Sequence, residues 1–370
     1  MDERAKELAK IVVNYSTLIQ EGDLVRVQGE EIARDFIYEV ARLVVDKGAY
    51  PVIKITNPDF SKYYIENANE SQLIRCPEFM KKMSEEIDAS ISVAAKFNPK
   101  YLEDVDSHRI ALVQKASKPM KDRIVGNGKE FAGKRWNIVG LPTEGAAKEA
   151  GMSLKDFEDF VYSATNIDWS KTRAKMNEIK KIFDNAKEVH LKVPGKTDLK
   201  FSLEGRGADV CDGKYNMPDG EVFYGPLEKS IEGYITFTHP AIRDGNEVKG
   251  IRLEFKEGKI VKATAEENEE FLKNMLELKG AKRIGEFGIG CNYGITKYIK
   301  NLLFDEKIGG TIHLAIGDSY KRDLMDGGGL NNSEIHWDIV CDFRKIPENP
   351  EGGEIFVNGK LVQKDGEWCY

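Results

Sequence analysis

The chain lacks the features by which several protein classes are recognised. Its five cysteines (Cys76, Cys211, Cys291, Cys341 and Cys369) are odd in number, widely spaced and without a CxxC pair. That excludes a disulfide framework and a thiolate zinc site, and leaves reduced thiols as the expectation. No apolar run approaches the roughly 18 to 20 residues of a membrane span, and the opening MDERAKELAK is charged where a signal peptide would be apolar. A cytoplasmic setting with no membrane partner is therefore expected. There is no basic stripe either: 55 basic and 62 acidic residues are scattered along the chain for a net charge of -7, so nucleic acid is not an expected partner. Glycine-rich nucleotide loops are missing, since the first strand-to-helix turn reads VQGEEIAR, with a single Gly29 and neither GxGxxG nor a Walker-type lysine. No internal repeat or low-complexity tail is present.

What remains is a globular composition, 41% hydrophobic and 32% charged, over 370 residues, a length that favours two domains. Residues 3–19 place Leu8, Ile11, Val12, Tyr15, Leu18 and Ile19 at helical spacing, which predicts an amphipathic helix stopped by Gly22. DLVRVQG (23–29), a helix in EEIARDFIYEVARLVVDKG and YPVIKIT (50–56) form a strand, helix, strand unit, which implies parallel pairing. A helix in 71–85 and strands at 88–95, 109–114 and 135–142 continue the alternation and predict an open α/β sheet with helices on both faces. Residues 153–186 read as one long or twice-broken helical stretch. After it HLKVPGKTDLKFSLEGR, IRLEFKEGKIVKATA and EIFVNGKLVQ alternate apolar and polar residues around glycine turns, the pattern of antiparallel hairpins. The expected fold class is α/β plus α+β. An N-terminal open α/β sheet domain would cover 1–185, and a C-terminal β-rich, metal-binding catalytic domain 186–370.

Between positions 286 and 338 the chain reads GEFGIGCN, then TIHLAIGDSY, then SEIHWDIV. These phrases carry Glu286, His313, Tyr320, His336 and Asp338, oxygen donors and imidazoles of the kind divalent metals bind. His336 and Asp338 stand two apart in a strand pattern, so imidazole and carboxylate share a face with Trp337 packed behind them. The same pair would also suit the solvent-facing side of a sheet. His313, between apolar neighbours, reads as a ligand or as a satisfied core histidine. Glu286 leads into the small, apolar FGIG, where a buried carboxylate needs a cation or donors. FGIGCNYG has the spacing GxGxxxG with no basic residue directly after it, a mere echo of a phosphate loop. Residues 202–226, SLEGRGADVCDGKYNMPDGEVFYGP, form a long, turn-rich stretch carrying Asp209, Asp212, Asp219 and Glu221, and loops of that length inside a compact domain tend to be functional. Asp212-Gly213 and Asp219-Gly220 read as turns, which leaves Glu221 as the better candidate for a directed carboxylate.

Jointly, TDLKFSLEGR, CDGKYNMPDGEVFYGP, GIRLEFKEGKIV, IGEFGIGCN, HLAIGDSY and IHWDI resemble the metal-dependent aminopeptidase family that includes thermophilic aminopeptidase T. The match is densest from 197 to 340, and the opening MDERAKELAKIVVNYS with VQGEEIAR is similar too. NMPDGE and the His313-to-Tyr320 spacing are its most specific parts. The resemblance implies that Glu221, Glu286, His313, His336 and Asp338 ligate two divalent metal ions per chain (Zn, Co or Mn). It also implies that Tyr320 hydrogen-bonds the reacting carbonyl or its tetrahedral intermediate. The expected activity is removal of N-terminal residues from peptides with a free N-terminus by a metal-activated water, with Glu221 or Glu286 relaying the proton. Which carboxylate bridges the metals stays open. A homodimer whose partner limits access to the cleft is implied as well. The interval from His313 to His336, which contains the glycine-rich DLMDGGGLNNSE, is shorter than that family leads one to expect, which bears on pocket shape and specificity.

Two rival readings use the same residues. His313, His336 and Asp338 make the facial triad of a mononuclear Fe(II) oxygenase, and ring-cleaving dihydroxypyridine dioxygenases are similar in sequence to this family. Glu221 and Glu286 discriminate, because one iron can spare them. A non-catalytic, metal-stabilised binding protein would keep the donors and turn nothing over.

Overall fold

Short β-branched runs separated by capped helices build the N-terminal half as parallel strands. The computed structural model describes residues 1–95, 98, 101–126, 132–243, 245–322 and 325–369. The chain divides into two compact units, Met1–Asn166 with Gly213–Pro218, and Ile167–Asp212 with Asp219–Tyr370. The sheet of the first unit runs Tyr50–Thr56, Leu24–Glu30, Ala89–Ala94, Arg135–Gly140 and Asn216–Met217, with every pair parallel. The helix Arg34–Asp46 buries Phe36, Ile37, Val40, Ala41 and Val44, one stripe at helical spacing, and packs on the first two of those strands in chain order.

Three local expectations differ from the structure. Residues 109–114 are not a strand; they lie in the helix Ser107–Val125, which begins where the Asp106 side chain accepts from the His108 backbone N–H. A short apolar run fits either element, and here the cap decides. The first helix, Glu3–Ile11, passes into a π-helical turn, Val12–Ser16, and ends before Gly22: the Thr17 N–H and hydroxyl both donate to the Val12 carbonyl. The helix read over 71–85 is two helices, Glu70–Leu73 and Glu78–Glu86, with Pro77 at the start of the second.

The helical stretch after 153 is also two helices, Leu154–Thr165 and Trp169–Phe183, the latter capped by Asp168, whose side chain accepts from the Lys171 N–H. Met176, Ile179 and Phe183 lie in the core of the second unit. The compact units therefore divide at 166/167, ahead of the change of texture at 186, because this helix buries its apolar stripe in the β-rich unit. Residues 202–226 are not one open loop. Asp209–Cys211 and Glu221–Tyr224 pair antiparallel, and the segment between them supplies Asn216–Met217 to the sheet of the first unit.

The second unit holds an eight-stranded sheet and a five-stranded one. The five-stranded sheet is ordered His336–Asp342, Thr311–Gly317, Ile284–Gly290, Glu221–Tyr224 and Asp209–Cys211, antiparallel throughout. Its strands alternate with the period of two, interrupted by a β-bulge between Ile284 and Glu286. Val222, Tyr224, Phe287, Ile289, Ile312, Leu314, Ile316, Trp337, Ile339 and Cys341 enter the core on one face. The intervening residues form the other face. Among the described residues, no helix is long and apolar enough to cross a membrane.

Candidate metal centre

The second face of the five-stranded sheet collects the ionisable residues. Register places Glu286 opposite Ala315, and Ala315 opposite Asp338, so the two carboxylates lie in one row across three strands. His313 pairs with Gly288, His336 with Gly317, and Glu221 with Gly290. The FGIG phrase now has a physical reading. Phe287 and Ile289 pack in the core while Gly288 and Gly290 clear the opposite face: a Cβ on Gly288 would stand 2.0 Å from His313 Cε1 and Nε2, and one on Gly290 would stand 2.0 Å from the Ile308 carbonyl oxygen. Gly288 makes room for an imidazole and Gly290 for a backbone carbonyl, not for a phosphate.

Five of the sequence candidates converge. Glu221, Glu286 and His313 each offer a ligand atom within 4.8 Å of the others, and so do Glu286, His336 and Asp338. Glu286 belongs to both groups. Its Oε1 lies 3.1 Å from His313 Nε2, and its Oε2 lies 3.9 Å from His336 Nε2. Each imidazole is oriented from behind: His313 Nδ1 donates to the Glu306 carbonyl at 3.0 Å and His336 Nδ1 to the Asp318 carbonyl at 2.8 Å. Both Nε2 atoms are thereby turned toward carboxylates, the arrangement in which a backbone acceptor fixes the tautomer of a metal-binding histidine. Tyr320, the sixth candidate, is 51% exposed at the edge of this set, its ring 5.8 Å from that of His336 and 5.4 Å from that of Phe223.

Glu221 Oε2 and Glu286 Oε2 are buried without a hydrogen bond, and Asp338 Oδ1, 3.3 Å from His336 Nε2, lacks an aligned one. Buried carboxylate oxygens left in this state are costly unless a cation meets them. The charges answer in kind. Burial opposes the imidazolium of His313, yet the hydrogen bond to Glu286 and the charges of Glu221 and Asp338 outweigh it and raise its pKa to about 9. Burial is likewise overcome at His336, which Asp338 and Glu286 raise to about 10. Asp338 falls to about 2 against its burial because His336 and His313 lie beside it, whereas burial pushes Glu221 up to about 8 despite Lys307. The site is thus short of positive charge and takes up protons where a divalent ion would otherwise satisfy it. The donors, carboxylates and imidazoles, are those that Zn, Co or Mn accept. At Tyr320 partial burial, then the charges of Glu286, Glu221 and Asp338, push the phenol above its ordinary pKa, so it stays a proton donor.

Several residues at this site were not singled out in the sequence. Lys307 is fully buried and ion-paired with Glu306 and Glu221. Cys211 and Asp219 approach Glu221 from the neighbouring strand and turn; burial holds the Cys211 thiol well above its ordinary pKa. Asn292 ties the pieces together, its side-chain amide donating to the Asp219 carbonyl at 2.8 Å while its backbone N–H donates to the Lys307 carbonyl at 2.9 Å. The available signal was the charged DEK at 305–307, just ahead of IGGTIHLAIG, charge where the chain is about to enter a fully buried strand.

Known proteins resemble this chain over its whole length. Aminopeptidase 2 of Geobacillus stearothermophilus is 26% identical over 420 aligned positions, covering 100% of this chain and 99% of that protein. Among solved structures, wild-type AmpT from Thermus thermophilus aligns with a TM-score of 0.79 at 23% identity, covering 100% of this chain and 99% of the other. A 2,5-dihydroxypyridine dioxygenase from Pseudomonas putida KT2440 shares the fold with a TM-score of 0.59 at 14% identity, over 99% of this chain and 96% of that one. The family model described as thermophilic metalloprotease (M29) matches residues 1–368. A match of that extent, over a chain whose second unit gathers carboxylates and imidazoles on one sheet face, makes this protein a member of the thermophilic metalloprotease family M29.

Proposed function

We propose that the protein is an aminopeptidase that removes N-terminal residues from peptides at a centre for two divalent metal ions. The observation that carries this reading is the sharing of Glu286: one of its oxygens faces the Glu221 and His313 side, the other the His336 and Asp338 side. A single ion would use one of these groups and leave the other group's carboxylates without a cation. Glu286 is accordingly the residue we assign to both ions, with Glu221 and His313 on one side and His336 and Asp338 on the other. Two such ions supply an acidified water near neutral pH and polarise the scissile carbonyl.

The chain's own residues do the rest. The backbone carbonyls of Glu306 and Asp318 keep both imidazoles presenting Nε2. Glu221, whose carboxylate is not shared between the two ions, would take a proton from the attacking water and pass it to the leaving amine. Tyr320, protonated and half-exposed beside His336, donates its hydroxyl to the developing oxyanion. The acidic face also suits a substrate that presents a free, cationic α-amine. A homodimer and a cytoplasmic setting, both carried by the resemblance and composition described above, complete the proposal; sedimentation of the purified protein checks the first.

The shared fold of the dihydroxypyridine dioxygenase keeps a second reading in view, a single Fe(II) on His313, His336 and Asp338. Metal-stripped protein reconstituted with Co, Zn, Mn or Fe(II) separates the two when assayed on aminoacyl chromogenic substrates and on dihydroxypyridine with oxygen. Hydrolysis with Co, Zn or Mn at two ions per chain is the expected result. Turnover with Fe(II) and oxygen alone would remove the peptidase assignment.

A further inference from the structure

The Glu221 side of the centre contains a cation of its own. Lys307 is fully buried, with Nζ paired to Glu306 Oε1 and 3.8 Å from Glu221 Oε1. The backbone fixes it on both sides: its N–H donates to the Phe304 carbonyl at 3.0 Å and its carbonyl accepts from the Asn292 N–H. The preceding residue, Glu306, supplies the carbonyl that orients His313. An ammonium enclosed to this degree cannot reach a substrate, and burying it is unfavourable unless it is paired. Its role therefore lies in the groups it holds.

One of those groups is half of a carboxylate. Glu221 Oε1 faces the ammonium, while Oε2 lies 3.5 Å from His313 Nε2 and has no hydrogen bond. We propose that Lys307 is a positioning residue that pins Glu221 Oε1, so that Glu221 presents Oε2 alone to the metal centre, with Glu306 serving as the counter-ion of the lysine. Without the ammonium the Glu221 carboxylate is free to rotate and offer either oxygen or both. The assignment rests on the two-ion reading given above.

The test is Co(II) titration of the stripped full-length protein, read by stoichiometry, affinity and visible absorption, with kcat and KM measured afterwards. Lys307→Met would strand the buried Glu306, so the informative variant is Lys307→Met combined with Glu306→Gln, which removes both charges of the pair together. We expect two Co(II) per chain in the wild type. In the double variant we expect an altered absorption band, one ion bound about tenfold more weakly, and kcat lowered about tenfold at a KM within about threefold of the wild type. Glu306→Gln alone keeps the lysine and should keep the wild-type spectrum; an altered spectrum there would assign the pin to Glu306 and overturn the proposal. A double variant with wild-type spectrum, affinity and kcat would overturn it too, and would leave the two-ion reading intact. A wild type that binds one Co(II) or none would overturn both.

Discussion

The two halves of the metal centre are built from the same residue types and differ in their surroundings. His313 is fully buried and sits with Glu221 against Lys307, whereas the His336 side chain is 31% exposed and sits with Asp338 beside the half-exposed Tyr320. The inner half is therefore constrained on every side by the protein, with a lysine that balances its carboxylates. The outer half is open to what arrives from solvent. Under the proposed function this difference amounts to a division of labour: the inner half would set the geometry and charge of the site, and the outer half would meet substrate. Glu286 joins them.

Breaking the joint should have the largest effect. Glu286→Gln is expected to lower kcat/KM by about a thousandfold or more and to weaken both ions, as read by metal analysis after dialysis. Retention of two tightly held ions would show that Glu286 is not shared. Next comes the outer half alone: Tyr320→Phe should cost about a hundredfold in kcat while stoichiometry and affinity for metal stay at the wild-type level. A variant with unchanged kcat would take the hydroxyl out of the reaction.

The inner half can be disturbed without touching a ligand. Gly288→Ala places a methyl group where His313 Cε1 and Nε2 now lie, and should weaken the inner ion by about 10- to 100-fold with the outer one nearly unaffected. Equal weakening of both would contradict the independence of the halves.

The smallest effect is a pH dependence of the metal-free protein. His313 and His336 have folded pKa values raised to about 9 and about 10, above the ordinary 6.5. Their contribution to stability is therefore complete below the unfolded value and is lost as pH rises through the folded ones. Glu221, raised to about 8 from 4.5, works in the same direction, since its ionisation in the folded state is disfavoured. Metal-free protein should lose melting temperature steadily between the ordinary imidazole range and pH 10, and metal binding at pH 7 should release protons, measurable by calorimetry in buffers of different ionisation enthalpy. A flat profile with no proton release would mean that the imidazoles are neutral before metal binds.

Much of this centre was legible because its chemistry is local in sequence. His336 and Asp338 share a face by strand periodicity alone, and Trp337 does turn into the core behind them, packing edge-on against Phe271. His313 and Glu286 stood out as polar residues in apolar strands. Lys307 did not, because the carboxylate that gives it meaning, Glu221, is distant along the chain and comes near only when Asn292 holds the two turns together. The glycines of FGIG were legible as glycines and not as a device, since the imidazole that Gly288 clears belongs to the next strand of the sheet and the carbonyl that Gly290 clears to the turn before it. In the first unit the alternation of strands and helices was readable from apolar spacing. The helix at Ser107–Val125 was not, because the four apolar residues at 110–113 are compatible with either period.

The short excursion of Gly213–Pro218 bears on how the molecule can be taken apart. The fifth strand of the parallel sheet is translated only after the helix Trp169–Phe183 and the first hairpin of the other unit, so a fragment ending at Asn166 would leave the edge at Arg135–Gly140 open and the Asn137 amide without the Gly213 and Lys214 carbonyls it donates to. No single cut releases either unit whole. One protease nick within 213–218 would separate Cys211 from Glu221 and strip a strand from the parallel sheet in the same event. Limited proteolysis can examine this, because cleavage there should abolish metal retention and loosen the first unit together, whereas loss of one without the other would show that the two are independent.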